Sequence, residues 1–414
     1  MDLNKIYDLI VVGAGAAGIV AAITAARDGK KVLLIEQLPQ IATKLKATGG
    51  GRCNLSNTLS NEEFISSFGK NGRFISKAIE LFDHKVLINF FKDIGVETSI
   101  ADGFRIFPST HSSSTVIDGL LKELQRLDVD IVCNTKALEI ITKNNSIESL
   151  KTNNGIFNTK NILLSTGGKG YPKLGATADG YDIASKLGHK ITTLHPAMMP
   201  LFTKESWQYN CRANTIPKAI VTINIHKKKK IKAVGDLIFT KNGLRGPVIL
   251  DFAREITPFL QKYYEVPILI NMVKGKTQND IIDHFKLQIK QNSDGTILDH
   301  LSSLLPTSII KELCKIVDVD YNLRFSKLEG RLKERLVNIV VNTPFTIIGH
   351  DGFKMAMITR GGISLKQIDP NTMQSKLIDG LYFAGEIVDI DGPCGGYNLQ
   401  YSFASGNLAG KLLK

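Results

Sequence analysis

The run Asp8-Leu-Ile-Val-Val-Gly13-Ala14-Gly15-Ala16-Ala17-Gly18 limits this chain more than any other feature. Leu9 to Val12 reads as a buried strand, and glycines in the spacing GxGxxG follow it at once. Gly13 permits a tight turn, Gly15 lets main chain approach a pyrophosphate, and Gly18 lets the next helix lie close to the strand. That helix is expected to run to about Asp28 and to aim its first N–H groups at the phosphates. Lys31 to Ile35 forms a second strand that closes on Glu36, 18 residues beyond Gly18. An acid at that distance accepts hydrogen bonds from a ribose 2′-hydroxyl and repels a 2′-phosphate. The chain therefore carries a dinucleotide site, for NAD or FAD, that disfavours NADP.

Three later segments favour the longer ligand, FAD. Lys44-Leu-Lys-Ala-Thr48-Gly49-Gly50-Gly51-Arg52-Cys53-Asn54 offers three consecutive glycines whose N–H groups are open to an anion or a planar ring, with Arg52 as a fixed cation. Asn161 to Ser165 reads as another apolar strand, ending in Thr166-Gly167-Gly168. Gly380-Leu-Tyr-Phe-Ala-Gly385-Glu386 is a strand with an acid at its end. It leads through Asp389, Asp391 and Gly392 to Gly395-Gly396-Tyr397-Asn398-Leu399-Gln400, a glycine-rich helix entry. A helix N-terminus there suits the negative charge that builds on a reduced flavin ring. Gln37 beside Glu36, and Ala137, complete the expected cofactor-binding set.

The GxGxxG strand, KxxxTGGGRCN and GLYFAGExxDxDGxxGGYNLQ together resemble the bacterial BaiN-like flavoproteins, also described as aminoacetone oxidase family FAD-binding enzymes or NAD(P)/FAD-dependent oxidoreductases. Tyr171-Pro172, Gly175 to Tyr181, His195-Pro196-Ala197, Phe239-Thr240, Gly243-Leu244, Gly246-Pro247 and Thr359 to Gly362 extend the resemblance along nearly the whole chain. It implies an α/β fold: a Rossmann-like FAD-binding domain of the two-dinucleotide-binding type, with an inserted β-barrel and a small helical subdomain. One departure is Ala178, where the pattern implies glycine.

The chain's own periodicities divide it in the same way. Residues 1–191 alternate strands and helices, 192–349 form an insertion, and 350–414 return to the nucleotide-binding domain. Within the insertion the first half, to about Ile270, reads as strands. Ile281, Ile282, Phe285 and Ile289, then Ile309, Ile310, Leu313 and Ile316, recur at helical spacing.

Composition is that of a globular protein, with 43% hydrophobic and 22% charged residues. The uncharged run Leu9 to Ala26 is too rich in glycine and alanine for a membrane span, and Asp2 and Asp8 argue against a signal peptide. Cysteines at 53, 133, 211, 314 and 394 show neither a disulfide framework nor a CxxC pair, as expected of a cytoplasmic protein. The net charge of +13 reads as a lysine-rich bias spread along the chain, with Lys227 to Lys230 at a solvated hairpin tip.

The expected activity is that of an FAD-dependent oxidoreductase passing hydride through flavin N5 to or from a small organic substrate. NAD(P)H is a candidate transient electron donor, although no second GxGxxG is visible. Two alternatives are a flavin-dependent RNA-modifying enzyme, consistent with the charge, and a non-catalytic flavin sensor. No stable nucleic-acid partner, membrane or metal is expected. No catalytic acid or base stands out; Cys53 reads as packing or flavin contact, His195 as a structural residue, and Trp207 as packing.

Overall fold

The structure is a computed structural model that describes residues 5–226 and 231–413. The chain divides into two compact units, residues 1–195 with 358–414, and residues 196–357. The divisions fall at 195/196 and 357/358, not at 191/192 and 349/350. The strand Thr343–His350 and the turn Gly352–Lys354 that follows it both lie within the second unit.

The first unit is built on a parallel five-stranded sheet. Its elements are β1 (Leu9–Val12), α1 (Ala16–Arg27), β2 (Val32–Ile35), α2 (Ser113–Arg126), β3 (Asp130–Val132), β4 (Ile162–Leu164), β5 (Leu381–Phe383) and α3 (Tyr397–Gly410). The strand order is β5-β4-β1-β2-β3. Every residue of β1, β2, β4 and β5 is buried, which explains why these strands read as unbroken apolar runs instead of alternating ones. A four-stranded sheet (Ile6–Tyr7, Gly155–Thr159, Ser146–Thr152, Ala137–Lys143) and a three-stranded one (Ser56–Asn57, Arg105–Pro108, Thr98–Ala101) complete the unit.

Small residues bring α1 and α3 almost into main-chain contact. A Cβ added to Gly406 would lie 2.2 Å from the Ala17 carbonyl oxygen, and one on Gly410 would lie 2.5 Å from that of Ala21. On another side of α1, Glu123 of α2 is buried and takes ion pairs from Arg27 at 2.7 Å and Arg126 at 2.7 Å. The Arg126 hydrogen bond, opposed by burial and aided by Arg27, holds its carboxyl below the usual range.

The second unit contains a closed six-stranded antiparallel barrel, in the order Leu201–Thr203, Gly243–Arg245, Lys232–Phe239, Thr215–Ile223, Val266–Asn271 and Thr343–His350. Trp207 packs on Phe345 with ring centres 4.9 Å apart, a packing role. Helices Gln278–Gln291, Ile297–Leu301, Thr307–Ile316 and Gly330–Val341 form the helical part. Ile281, Phe285, Ile309, Ile310 and Leu313 are buried there, while Ile316 is exposed. One departure from the expected strand-rich half is the helix Pro247–Tyr263, started by Gly246 at φ 101 and by proline in its first turn. The expected hairpin tip at Lys227 to Lys230 lies outside the described residues.

The close packing of α1 and α3 is open to direct test. Gly406→Ala forces a methyl against main chain and is expected to cost about 1–3 kcal/mol, read as a lower urea midpoint with an unchanged slope.

Candidate functional site

The three fingerprint glycines have separable jobs. Gly13 sits at φ 100, and its added Cβ would meet the Ser165 carbonyl oxygen at 2.7 Å. Gly18 would place a Cβ 2.0 Å from the Gly13 oxygen, so the turn and the helix start require it. Gly15 differs: its φ is −89° and nothing lies within 4 Å of the added Cβ. The fold would accept alanine there; the open space beside its main chain is what a closely approaching ligand needs.

Beside this turn lies an open cleft lined by Gly13, Glu36, Gln37, Ala137, Thr166 and Thr177, among others. Glu36 Oε2 accepts from Ala14 N at 3.0 Å and Oε1 accepts from Leu38 N at 2.9 Å. Each oxygen retains a lone pair for a ligand hydroxyl. Gln37 Nε2 donates to the Gly175 carbonyl at 2.7 Å, tying the 175–180 loop to the acid's side of the cleft. Ala178 in that loop takes φ 72, which accounts for the glycine the sequence pattern implies there.

A second gathering of residues joins segments far apart in sequence. Lys44 Nζ pairs with Glu386 Oε2 at 2.7 Å, and Glu386 Oε1 accepts from Thr359 N at 2.8 Å. Thr359 Oγ1 in turn accepts from Lys169 N at 2.7 Å, and a Cβ on Gly168 would strike Thr359 Oγ1 at 2.3 Å and Glu386 Oε1 at 2.4 Å. Gly385 N donates to Ser405 Oγ at 3.0 Å, with its Cα side close to Ala17.

The 48–54 and 392–400 stretches touch. With its amide nitrogen turned to the Ser56 carbonyl at 2.9 Å, Asn54 accepts through oxygen from Gly396 N at 3.1 Å. Asn57 Nδ2 donates to the Gly395 carbonyl at 3.0 Å, and Asn398 closes its own loop onto Gly392 N at 2.8 Å. Gly49, Gly50 and Gly51 run through φ 58, 67 and 87, and added Cβ atoms at Gly50 and Gly51 would meet nothing within 4 Å. This open glycine loop thus lies next to the N-terminus of α3. Tyr397 is buried against Phe64, with ring centres 5.1 Å apart.

Some expected site side chains face inward. Gln400 is buried and its amide donates to the Phe82 carbonyl at 2.6 Å, so it serves the core under α3. Cys53 is buried at φ 60, and burial, only partly offset by a Thr48 hydrogen bond, pushes its thiol up to about 11. A thiol so held is a poor nucleophile. Burial also raises the Asp389 carboxyl, against a Thr192 hydrogen bond and the charges of Arg360 and Lys70. Burial and then Arg360 lower the His195 pKa, and its buried Nδ1 has no hydrogen-bond partner among the described residues. Sequence reasoning named neither Thr359, Lys169 and Ser405 as supports, nor Thr177 and Asp179 as cleft wall.

The parallel sheet, the glycine turn on its central strand and the joined glycine segments define a flavoprotein oxidoreductase. The chain belongs to the HI0933-like family, whose Rossmann-domain profile matches residues 7–412. It is 29% identical over 405 residues to a 3-dehydro-bile acid delta(4,6)-reductase of Clostridium scindens, covering 97% of each chain. A ribosomal RNA dihydrouridine synthase of Haemophilus influenzae is 27% identical, again with 97% of each chain covered. In fold it resembles a 3-ketosteroid delta1-dehydrogenase from Sterolibacterium denitrificans, with a TM-score of 0.55, 13% identity and 99% of each chain covered. Among the described residues no helix is long and apolar enough to cross a membrane, and no cluster of side chains could hold a metal ion.

Two substitutions separate binding from folding. Gly15→Ala leaves the unfolding midpoint unchanged but lowers dinucleotide affinity by about 1–3 kcal/mol, the cost of an intruding methyl, measured by cofactor titration. Ala178→Gly relieves a left-handed alanine and raises stability by about 1 kcal/mol, measured by urea denaturation.

Proposed function

We propose that the chain holds one extended FAD and reduces a carbon–carbon double bond conjugated to a carbonyl group. The observation that carries the reading is the Asn57–Gly395 hydrogen bond, which ties the chain just after the open glycine loop to the glycines at the start of α3, within the unit that holds the cleft beside Gly13. The residues present fit the cofactor. Gly15 offers an unobstructed main chain to a pyrophosphate, Glu36 offers lone pairs to a ribose, and Gly49, Gly50 and Gly51 offer main chain without side chains.

In this reading Gly13, Ala14, Gly15, Ala16, Ala17 and Gly18 with Glu36, Gln37, Ala137 and Thr166 take the adenosine and phosphate end. Lys44, Thr48, Gly49, Gly50, Gly51, Cys53, Asn54, Gly167, Gly168, Gly385, Glu386, Asp389 and 396–399 surround the ribityl chain and ring. FAD supplies hydride transfer between a nicotinamide donor and the acceptor. The protein's part is binding and electrostatics. The Lys44–Glu386 pair fixes one cation and one acid at the junction of three segments, and the positive end of α3 favours negative charge beside it.

The acceptor class comes from the relatives. A delta(4,6)-reductase acting on a 3-oxo steroid and a dihydrouridine synthase both add two hydrogens across a double bond activated by a carbonyl. A second reading, a uracil ring within RNA as the acceptor, has its own support. Residues 196–245 contain Lys204, Arg212, Lys218, Lys227 to Lys230, Lys232, Lys241 and Arg245 against only Glu205 and Asp236. The positive excess is therefore concentrated in this stretch and not spread along the chain, and such a concentration suits phosphate contacts.

Anaerobic titration of the purified protein decides between them. The flavin band is expected to bleach with NADH or NADPH and return on adding a 3-oxo-4-ene steroid, with the product gaining two hydrogens. Return with a uridine-containing rRNA fragment but not with the steroid would move the acceptor to RNA. A colourless protein that takes up no FAD would overturn both.

A further inference from the structure

The cation of the glycine loop is held ready for a ligand that the fold itself does not supply. Arg52 is exposed, yet its orientation is set from two sides. Its guanidinium lies over the buried Phe107 ring with its central carbon 5.3 Å from the ring centre, and its Nε donates to the Gly49 carbonyl at 3.4 Å. Arg105 approaches the same ring at 5.8 Å and is paired with Asp102. Arg52 has no carboxylate partner among the described residues. Nor does the sequence provide one nearby: between Glu36 and Glu62 there is no Asp or Glu, while Lys44, Lys46 and Arg52 all fall in this interval. Lys44 is neutralised by Glu386, so the remaining positive charge beside the open glycines rests on Arg52 and the exposed Lys46.

An arginine stacked on a ring gives up little rotamer freedom when it binds, and it presents a rigid fork of donors suited to oxyanions. Cys53 and Asn54 fix the other end of the loop, Cys53 N donating to the Thr48 carbonyl at 3.0 Å and Asn54 joining Gly396. The loop that carries the fork is thereby tied to the start of α3.

We propose that Arg52 is a specificity-determining residue that selects acceptors carrying an anionic group, a carboxylate or a phosphate ester, a short distance from the double bond. The proposal rests on the FAD-dependent reductase reading and adds the charge of the acceptor to it. No covalent step is assigned to Arg52; it binds and orients.

The test uses the flavin-loaded protein and Arg52→Gln, with Arg52→Lys as the conservative variant. Binding is read from the flavin difference spectrum with unreactive 4-oxopentanoate and its methyl ester, and turnover from 4-oxopent-2-enoate and its methyl ester. Arg52→Gln is expected to weaken the two acids about 10–100-fold, the range of a hydrogen bond to a charged group, and to leave both esters unchanged. Arg52→Lys should recover part of the loss, and added salt should weaken acid binding in the wild type. Inorganic phosphate and uridine 5′-monophosphate against uridine form the second arm. A stronger effect of Arg52→Gln there than on the carboxylates makes a phosphate ester the natural source of charge.

Equal losses for acid and ester, or no loss for either, would overturn the proposal. So would loss of bound flavin in Arg52→Gln, which would place Arg52 among the cofactor's own ligands. Failure of the wild type to bind FAD refutes the function reading instead. An Arg52-dependent affinity for 4-oxopentanoate in that protein, read by calorimetry, would leave the anion site standing.

Discussion

The arrangement depends first on how near main chain comes to main chain around the end of β1. Gly18 brings α1 against the turn it has just left, Gly13 passes under Ser165, and Gly406 and Gly410 seat α3 on the other face of α1. Any side chain at these positions would separate the helices from each other and from the sheet. Both helix N-termini are held by this packing: that of α1 beside the cleft at Gly13, and that of α3 beside the 48–54 loop. The positive ends of two helices, fixed without help from charged side chains, are a rigid setting for a polyanionic cofactor.

The acids of the site are held by fixed partners. Glu36 is occupied by two N–H groups and Glu386 by Lys44 and the Thr359 N–H, while burial raises the Asp389 carboxyl. These two acids are thus satisfied, and a ligand meets preset dipoles with little rearrangement. Cys53 fits this pattern, since a deeply buried thiol adds shape and no redox chemistry.

Much of this was legible in the sequence because the governing constraint is local. Gly13, Gly15 and Gly18 each state a main-chain requirement within one turn of chain, and the apolar runs of β1, β2, β4 and β5 state burial on both faces. Even Ala178 announced itself, as the residue standing where a left-handed conformation calls for glycine. Less legible was whatever depends on contacts between distant segments. Nothing near Thr359 foretells that its N–H and hydroxyl brace Glu386 and Lys169, and nothing near Gln400 foretells that it points down to the Phe82 carbonyl. The helix Pro247–Tyr263 was hidden for another reason. It lies within a strand-rich stretch, and its start signal, Gly246 followed by proline, reads equally as a turn.

The first unit is discontinuous in sequence, and this has a consequence for how the protein is made. Strand β5 lies beside β4, and α3 lies on α1, yet both come from the segment that follows residue 357. On the ribosome the sheet must therefore wait, one strand and one helix short, while the whole barrel and its helices are synthesised. The barrel unit is continuous, so every residue that makes its contacts has been synthesised before β5 and α3 emerge. During that interval β4 presents an unpaired edge and α1 an uncovered stripe of alanine and glycine, a state in which a chaperone or a premature cofactor would find different surfaces from those of the finished molecule.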